Sequence, residues 1–597
     1  LQSSSSTTGT DYASKFVVTK NGNAGIGNVA PLTLLHITED SGSSSADITL
    51  ERQDTSVSVN NSIGSLLWYA GEDGGEAKVG RIGIVANGNF TDSNSETYML
   101  FENTANGAVE SRETMRIRNT GDLVLANTDG TFQTDTDGTN NFRAGKNAGI
   151  SISTGDFNVL LGDEAGTAVA AGIGNVAVGY KALKSENGHG TNVAVGAYAL
   201  EDQDAAADAY NVAVGYNAGL NAATSLFSTY VGGEAGGLGV ITGNTNVAVG
   251  YKSGLDLTSG NANVLVGGFA GTNLTTGQDN VAIGTSALDV DLDGNNSVAI
   301  GRNALGSQTG TDADMHNTAV GFEAGKGSTT GKFNTFIGSV SGGSGVTTGT
   351  HNNGVGVETL YALTGGAANN IFGYQAGSKI TTGNYNVAMG HEALETEDTG
   401  DGATAIGYRA LKVQNSDLAN YNTAVGYAAG LGVTLGVRNT IIGAVAGDAI
   451  TEGSYNCVMG YNAQGIDTKG SRSIAIGYGA LGAQNFTSAT DNYNVAIGFG
   501  AAASLSTGTN NVLIGGNVSQ VDAGIVGEAP IQTGTNNVVI GKAAQVSAEN
   551  ADAQVVLGFE CTGTSNTSLT FGKAATDSNI DFGATSITAP SDERYKE

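Results

Sequence analysis

Asn175-Val-Ala-Val-Gly179-Tyr-Lys-Ala-Leu183 decides the fold, because it returns as Asn211-Val-Ala-Val-Gly215-Tyr-Asn-Ala-Gly219 and as Asn422-Thr-Ala-Val-Gly426-Tyr-Ala-Ala-Gly430. The glycines that close this short apolar run stand at 162, 179, 196, 215, 232, 250, 267, 284, 301, 321, 338, 356, 373, 390, 407, 426, 443, 460, 477, 498, 515, 541 and 558. Fifteen of the twenty-two intervals are 17 residues, and the others are longer. A fixed period of this size marks one structural unit stacked many times. A chain made mostly of stacked coils is a rod, a shape that holds things at a distance.

The strand positions are β-branched, as pleated surfaces prefer. Three apolar residues in a row mean that both strand faces are covered. Val176 and Val178 are expected on one face and Ala177 on the other. One face fills the coil's own interior. The other, the alanine face, then needs cover from a second chain, and its small side chains suit a close approach of identical chains around an axis. Helix is the competing reading for the Tyr-x-Ala-Leu stretches, but each is short and interrupted by Gly. The expected fold is all-β: a repetitive parallel β-roll or β-helix shaft of ~17-residue coils, homotrimeric and preceded by a small antiparallel β domain. Some 23 rungs over residues 142–560 give a rod of roughly 110 Å at the spacing of neighbouring strands.

An Asn precedes the marker glycine by four residues in 18 of the 23 units, for example Asn158, Asn192, Asn246, Asn280, Asn386 and Asn494. Stacked coils align these into a ladder of amides. Asn also tolerates a left-handed turn. Thr-Gly turns lie ahead of it, as at Thr276-Gly277 and Thr382-Gly383. Three residues after the marker comes a small residue, as at Ala182, Ala218, Ala304, Ala376 and Ala480, and Cys561 occupies the same slot. That slot makes Cys561 a small buried hydrophobe rather than a reactive thiol. Cys457 falls within a strand.

At 597 residues the chain exceeds one ordinary globular core. It holds 93 Gly and only 3 Pro without a Gly-x-y period, so it is not collagen-like. A net charge of -30 argues against nucleic-acid binding through a basic patch. Two Cys are too few for a disulfide framework. No run of about 18 apolar residues is present, so no membrane insertion is expected. The first residue is Leu1, with no initiator Met or signal peptide, so the true N-terminus is expected to lie upstream. The expected organisation is an N-terminal β segment or linker over 1–30, a small β domain over 31–141, the shaft over 142–560, a β cap over 561–590 and a separate motif over 591–597. Strands of the small domain are read at Ile63-Gly-Ser-Leu-Leu-Trp-Tyr69, Val79-Gly-Arg-Ile-Gly-Ile84, Tyr98-Met-Leu-Phe101 and Glu113-Thr-Met-Arg-Ile117, separated by turns such as Asn87-Gly88. Trp68, the only Trp, reads as a core residue there, against a sugar-stacking platform.

The Asn/Ser-Val-Ala-Ile/Val-Gly core resembles the head repeats of trimeric autotransporter adhesins and of phage tail fibres, although those adhesin units are shorter. That resemblance implies a three-chain bundle of left-handed parallel β-rolls. Ser14-Lys-Phe-Val-Val-Thr-Lys-Asn-Gly-Asn-Ala-Gly-Ile-Gly27 resembles short segments of phage tail-fibre proteins, and Asn119-Thr-Gly-Asp-Leu-Val-Leu125 repeats the theme. Ser591-Asp-Glu-Arg-Tyr-Lys596-Glu597 resembles the Ser-Asp-Glu-Arg-Leu-Lys opening of the intramolecular chaperone of endosialidase-type tail spikes, with Tyr595 in place of Leu. That family trimerises the fibre and then cuts itself near this serine. The resemblance implies Ser591 as nucleophile and Lys596 as its general base, since a serine needs a neighbouring base to lose its proton. The chaperone body does not follow within the chain, and the bland reading of the motif is a charged tail.

Asp289-Val-Asp-Leu-Asp-Gly294 matches the start of a calcium loop, but Ile300 stands where the bidentate Glu belongs. Asp289, Asp291 and Asp293 are thus a weak metal candidate against the default of an acidic solvated turn. Glu395 with Glu397 or Asp398 could act on a glycan, but acidic pairs arise by chance among 56 such residues. His36, His189, His316, His351 and His391 are scattered rather than spaced as ligands. The tyrosines after the marker glycine (Tyr180, Tyr216, Tyr251, Tyr374, Tyr408, Tyr427, Tyr461, Tyr478) read as packing along the rod rather than a binding stripe. The longer intervals place extra residues near 201–209, 307–316, 412–419, 484–491 and 517–532, either receptor-contacting loops or neutral drift.

Taken together, these features lead to the expectation of a phage tail fibre, extracellular on the virion. It would be a homotrimer that contacts a host-surface receptor (a glycan or an outer-membrane component) and joins other virion tail proteins at its N-terminus. No cofactor is expected, and no enzyme activity beyond single-turnover autoproteolysis at Ser591 and Lys596. A bacterial trimeric surface adhesin and a glycan-degrading spike are the alternatives. An adhesin should end in a heptad stalk and membrane-anchoring strands, whereas this chain shows no heptads and carries the chaperone-like motif, which favours the phage fibre.

Overall fold

The structure, a computed structural model, describes residues 140–583 apart from 311–313, 344, 418, 520–529 and 574–576. Before residue 140 it describes only the eight strands named next. The chain divides into two compact units, Leu1–Gln133 and Thr134–Glu597.

In the first unit, β1 (Phe16–Val18) pairs antiparallel with β2 (Ala24–Ile26), which pairs parallel with β3 (Leu35–Ile37). The N-terminal sheet therefore extends past residue 30. A separate five-stranded antiparallel sheet runs in chain order through β4 (Ser62–Ala70), β5 (Ala77–Ala86), β6 (Thr97–Thr104), β7 (Ser111–Arg118) and β8 (Leu123–Val124). All four strands expected from alternation fall inside it. Leu100 is buried while its neighbour Met99 is exposed, the period-two pattern of a sheet with one covered face. Arg81 and Glu102, directly opposite each other on β5 and β6, pair at 3.8 Å. The side chain of Trp68 lies outside the described residues.

The second unit is the solenoid. One sheet of 26 strands begins at Phe142–Ala144 and ends at Ser578–Asp581. Every pairing in it is parallel and in register by one coil, as in Val176↔Val193 and Ala177↔Ala194, except the last, which is antiparallel. Most coils carry a single three-residue strand, with turns making up the rest. The repeat runs one coil beyond Gly558, since Ser568–Lys573 pairs parallel with Val555–Phe559 and carries Gly572 opposite Gly558. No helix occurs among the described residues. The Tyr-Lys-Ala-Leu stretch instead alternates left-handed residues, with φ of 57° at Lys181 and 51° at Leu183. Among the described residues no helix is long and apolar enough to cross a membrane.

Three features of the repeat explain the stack. The marker glycine has φ near +139° at Gly179, and a Cβ there would meet the carbonyl oxygen of Gly196 at 2.4 Å. Only glycine allows coils to approach this closely. Backbone donors are exchanged between coils, as from Val176 N to Asn192 O at 2.8 Å and from Leu183 N to Ala199 O at 2.9 Å. The Asn ladder is buried, and its Oδ1 accepts the backbone N–H of the next Asn. Asn386 N to Asn369 Oδ1 is 3.0 Å, while Asn369 Nδ2 donates to Gly383 O at 2.8 Å. The ladder is thus mainly a side-chain-to-backbone staple, with amide-to-amide contacts such as Asn369 Nδ2 to Asn352 Oδ1 at 3.0 Å added to it.

The strand faces are the reverse of the expected arrangement. The central residue points into the coil: Ala177, Ala194, Ala213 and Ala248 are fully buried within the single chain. The flanking Val176 and Val178 point outward and are half-buried. The alanine face therefore needs no second chain. The physical reason is the narrowness of a 17-residue coil, whose interior has no room for a large apolar side chain both at the strand centre and at the site six residues on. Where the strand centre is large, as at Leu160, Tyr230, Leu265 and Phe336, the site six residues on is Gly166, Gly236, Gly271 or Gly342. Where that later site is leucine, as at Leu183, Leu288, Leu394 or Leu411, the strand centre is alanine.

Candidate functional site

The outward sheet face is the first candidate surface. Two columns of mostly β-branched side chains run along it, one through Val176, Val193 and Val247 and the other through Val178, Val249 and Ile300. Both columns stay half-buried or exposed over the whole ladder, and Met389 is 47% and Met459 40% exposed. Aromatic columns border this face on both sides. On the side after the marker glycine, Tyr408 and Tyr427 stack at 5.1 Å, and Tyr461, Tyr478 and Phe499 at 5.4 and 4.9 Å. His391 sits between Tyr374 and Tyr408 at 4.9 and 5.4 Å. On the other side, Phe333 is sandwiched by His316 and His351. Rings that stack on one another along the rod spend their faces on packing, in keeping with the structural reading of the tyrosines. These three histidines are members of the same stacks.

The interior holds a feature the sequence reading missed. The position seven residues after the marker is apolar in most coils, as at Val169, Leu257, Leu274, Ile380 and Ile450. In four coils it is a fully buried acid: Glu186, Asp291, Glu397 and Asp467. The coil after each carries a buried glutamine at the same position: Gln203, Gln308, Gln414 and Gln484. Gln308, Gln414 and Gln484 donate Nε2 to the acid below at 2.5, 2.7 and 2.6 Å. All four glutamines accept Nδ2 of the next ladder Asn, namely Asn211, Asn317, Asn422 and Asn494, at 2.7–2.9 Å. Each relay lies at the base of a long interval of 19, 20, 19 or 21 residues. The acid holds the loop there: Gly310 N donates to Asp291 at 2.8 Å and Phe486 N to Asp467 at 3.0 Å. Loop residues also replace missing rungs of the Asn ladder, since Asn422 N and Asn494 N donate to Asn420 Oδ1 and Asn492 Oδ1. An acid followed one coil later by Gln at a core position was the available signal. Burial pushes the carboxyls of Glu186, Asp291 and Glu397 up, with Glu186 reaching about 7.

Asp289, Asp291 and Asp293 do not share a site. Asp291 turns into the core, so the solvated-turn reading fails for it, whereas Asp293 Oδ1 accepts the hydroxyls of Thr275 and Thr276 at 3.0 and 2.7 Å. Among the described residues, no group of three His, Cys, Asp or Glu could hold a metal. Glu397 is likewise internal. Its chain neighbours face the surface, where Glu395 pairs with Lys412 at 3.1 Å and Asp398 accepts the Thr381 hydroxyl. Cys561 is buried, with its thiol pushed up to about 12 by burial and by Asp577, and Cys457 is half-buried in the outward column. Ser591 and Lys596 lie outside the described residues.

No protein-family model matches the chain, and no curated protein matches it.

Proposed function

We propose that the chain is the shaft of a homotrimeric, extracellular virion fibre, a phage tail fibre, whose role is mechanical and adhesive. The observation that carries this reading is the outward face of the ladder. Two columns made mostly of Val, Ile, Thr and Met, left half-covered along the whole ladder, form a long and largely apolar face of the kind that marks an interaction surface. Identical copies packed about a common axis would cover it along its full length. The resemblance of residues 591–596 to a fibre-trimerising chaperone favours three copies, and a virion fibre over a bacterial adhesin. A net charge of -30 spread along the rod keeps assembled fibres apart, and weak receptor contacts repeated on three chains gain by avidity. The reading is tested by Val249→Lys, Val266→Lys and Ile283→Lys combined in the outward column. The triple variant should fall from the mass of three chains to that of one with its circular dichroism unchanged, and an unaltered mass would remove the reading.

A further inference from the structure

We propose that Asn353 and Asn370 set the register in which identical copies of this chain pack together, by meeting the same two amides of the neighbouring copies across the outward sheet face. The inference rests on the trimeric-fibre reading and names the device that aligns its chains. It starts from a break in pattern. From the strand Val159–Leu161 to the strand Val555–Phe559, the outward column after the strand centre holds only Val, Ile, Leu, Met and Phe. The column before the centre holds Val, Ile, Thr and Cys457, and, in two adjoining coils, Asn353 and Asn370.

The coil itself does not call for these amides. The ladder asparagines lie one residue earlier and point inward, where Asn352 and Asn369 are fully buried. Asn353 and Asn370 are half-buried on the outside. Asn353 Nδ2 donates to Asn370 Oδ1 at 2.7 Å. Among the described residues nothing else bonds these two side chains, so Asn353 keeps a free acceptor and Asn370 a free donor. Water serves them in a lone chain. Once a partner covers the face, each needs a protein partner instead. An identical amide at the same height is such a partner, because it both donates and accepts. Around a closed ring of copies each amide gives to the next and takes from the one before.

The assembly needs such a device. The face is nearly uniform along the rod, so sliding one copy by a coil, about 4.8 Å, leaves most layers covered. Apolar burial therefore separates the registers weakly. That slide would set Asn370 of one copy against Val387 of the next, which offers no hydrogen bond. A single buried asparagine fixes register in coiled coils by the same physics. The pair also sits at the midpoint of the ladder, with 12 strands before it and 12 after. Antiparallel copies would thus superpose Asn353 on Asn370, and the test has to separate the two arrangements.

Double electron–electron resonance does so. Ser259, exposed and outside both columns, is replaced by Cys and spin-labelled in the full chain carrying Cys457→Thr, while Cys561 stays buried and unlabelled. Parallel copies in register hold the labels at one height and give one narrow distance. Asn353→Val with Asn370→Val should keep the mass of three chains and split this into several distances. Val stands in the same column at Val298 and Val387, so the coil accepts it. Rebuilding the pair in that variant as Val495→Asn with Val512→Asn, again in adjoining coils, should restore the single distance. Several distances in the native trimer, one unchanged distance in the double variant, its fall to single chains, or no restoration by the rebuilt pair would each overturn the proposal. So would a native dimer with its labels 13 coils apart, about 60 Å, as antiparallel copies require. A native monomer removes the fibre reading and the register with it; a native trimer whose single distance ignores the substitutions removes the register alone.

Discussion

A Cβ added to Gly166 would lie 2.7 Å from Cδ2 of Leu160. The leucine at the strand centre occupies the volume that a side chain at the later site would need. In the next coil the occupancy is exchanged, with Ala177 at the centre and Leu183 at the later site, both fully buried. Among the described coils, these two sites never both carry a large apolar side chain, and that exclusion is the packing rule of this solenoid.

The rule predicts an exchange. Leu160→Ala alone should cost about 2–5 kcal/mol through the cavity it leaves. Gly166→Leu alone should overpack, at about 1–3 kcal/mol. The pair together should be milder than either sum, with a coupling of at least about 1 kcal/mol, because φ at Gly166 (56°) is close to that of Leu183 (51°). Hydrogen exchange over coils 142–195 measures it, and simple additivity would count against the rule.

The Asn ladder predicts a cost for losing one rung. Asn369→Ala leaves Asn386 N–H and Gly383 O without the partners they have at 3.0 and 2.8 Å. Burial makes an unpaired donor expensive, so about 2 kcal/mol is expected. Loss of exchange protection at Asn386 is the direct readout.

Glu186 predicts an unusual pH dependence. Its folded-state carboxyl is raised to about 7, chiefly by burial, above the ordinary 4.5. The folded state therefore holds the proton more tightly than the unfolded state, and this group's contribution to stability falls as pH rises from 4.5 through 7. Glu186→Gln should raise the thermal midpoint at pH 8 and change it little at pH 4. An equal shift at both values would mean that ionisation of Glu186 is not the cause.

The two cysteines predict a labelling contrast. Cys561 is buried with a raised thiol, so it should resist maleimide in any folded state. Cys457 lies in the outward column between Thr440 and Ile474. It should be protected in the assembled fibre and react once the chains are separated but folded. Rapid labelling of Cys457 in the assembled protein would show that the face is open.

The coil period, the parallel strands, the glycine marker and the alignment of the Asn ladder were legible in the sequence because each is a local requirement repeated many times, whereas the ladder's burial and its bonds to backbone were not. The facing of the strand was not. Val176-Ala-Val178 reads as apolar on both faces, and only the width of the coil decides that Ala177 goes inside. The exchange between Leu160 and Gly166 could have been read by comparing coils six residues apart, but it requires knowing that both sites share one layer. The acid–glutamine relays escaped because Asp291 and Gln308 lie a whole coil apart, and acidic residues are otherwise expected on the surface.

The most direct test of the shared outward face is the native mass of the chain in solution by multi-angle light scattering, with any natural downstream sequence retained during expression. Three chains per particle is the expected result. A monodisperse monomer, with the Val and Ile columns left in water, would contradict it.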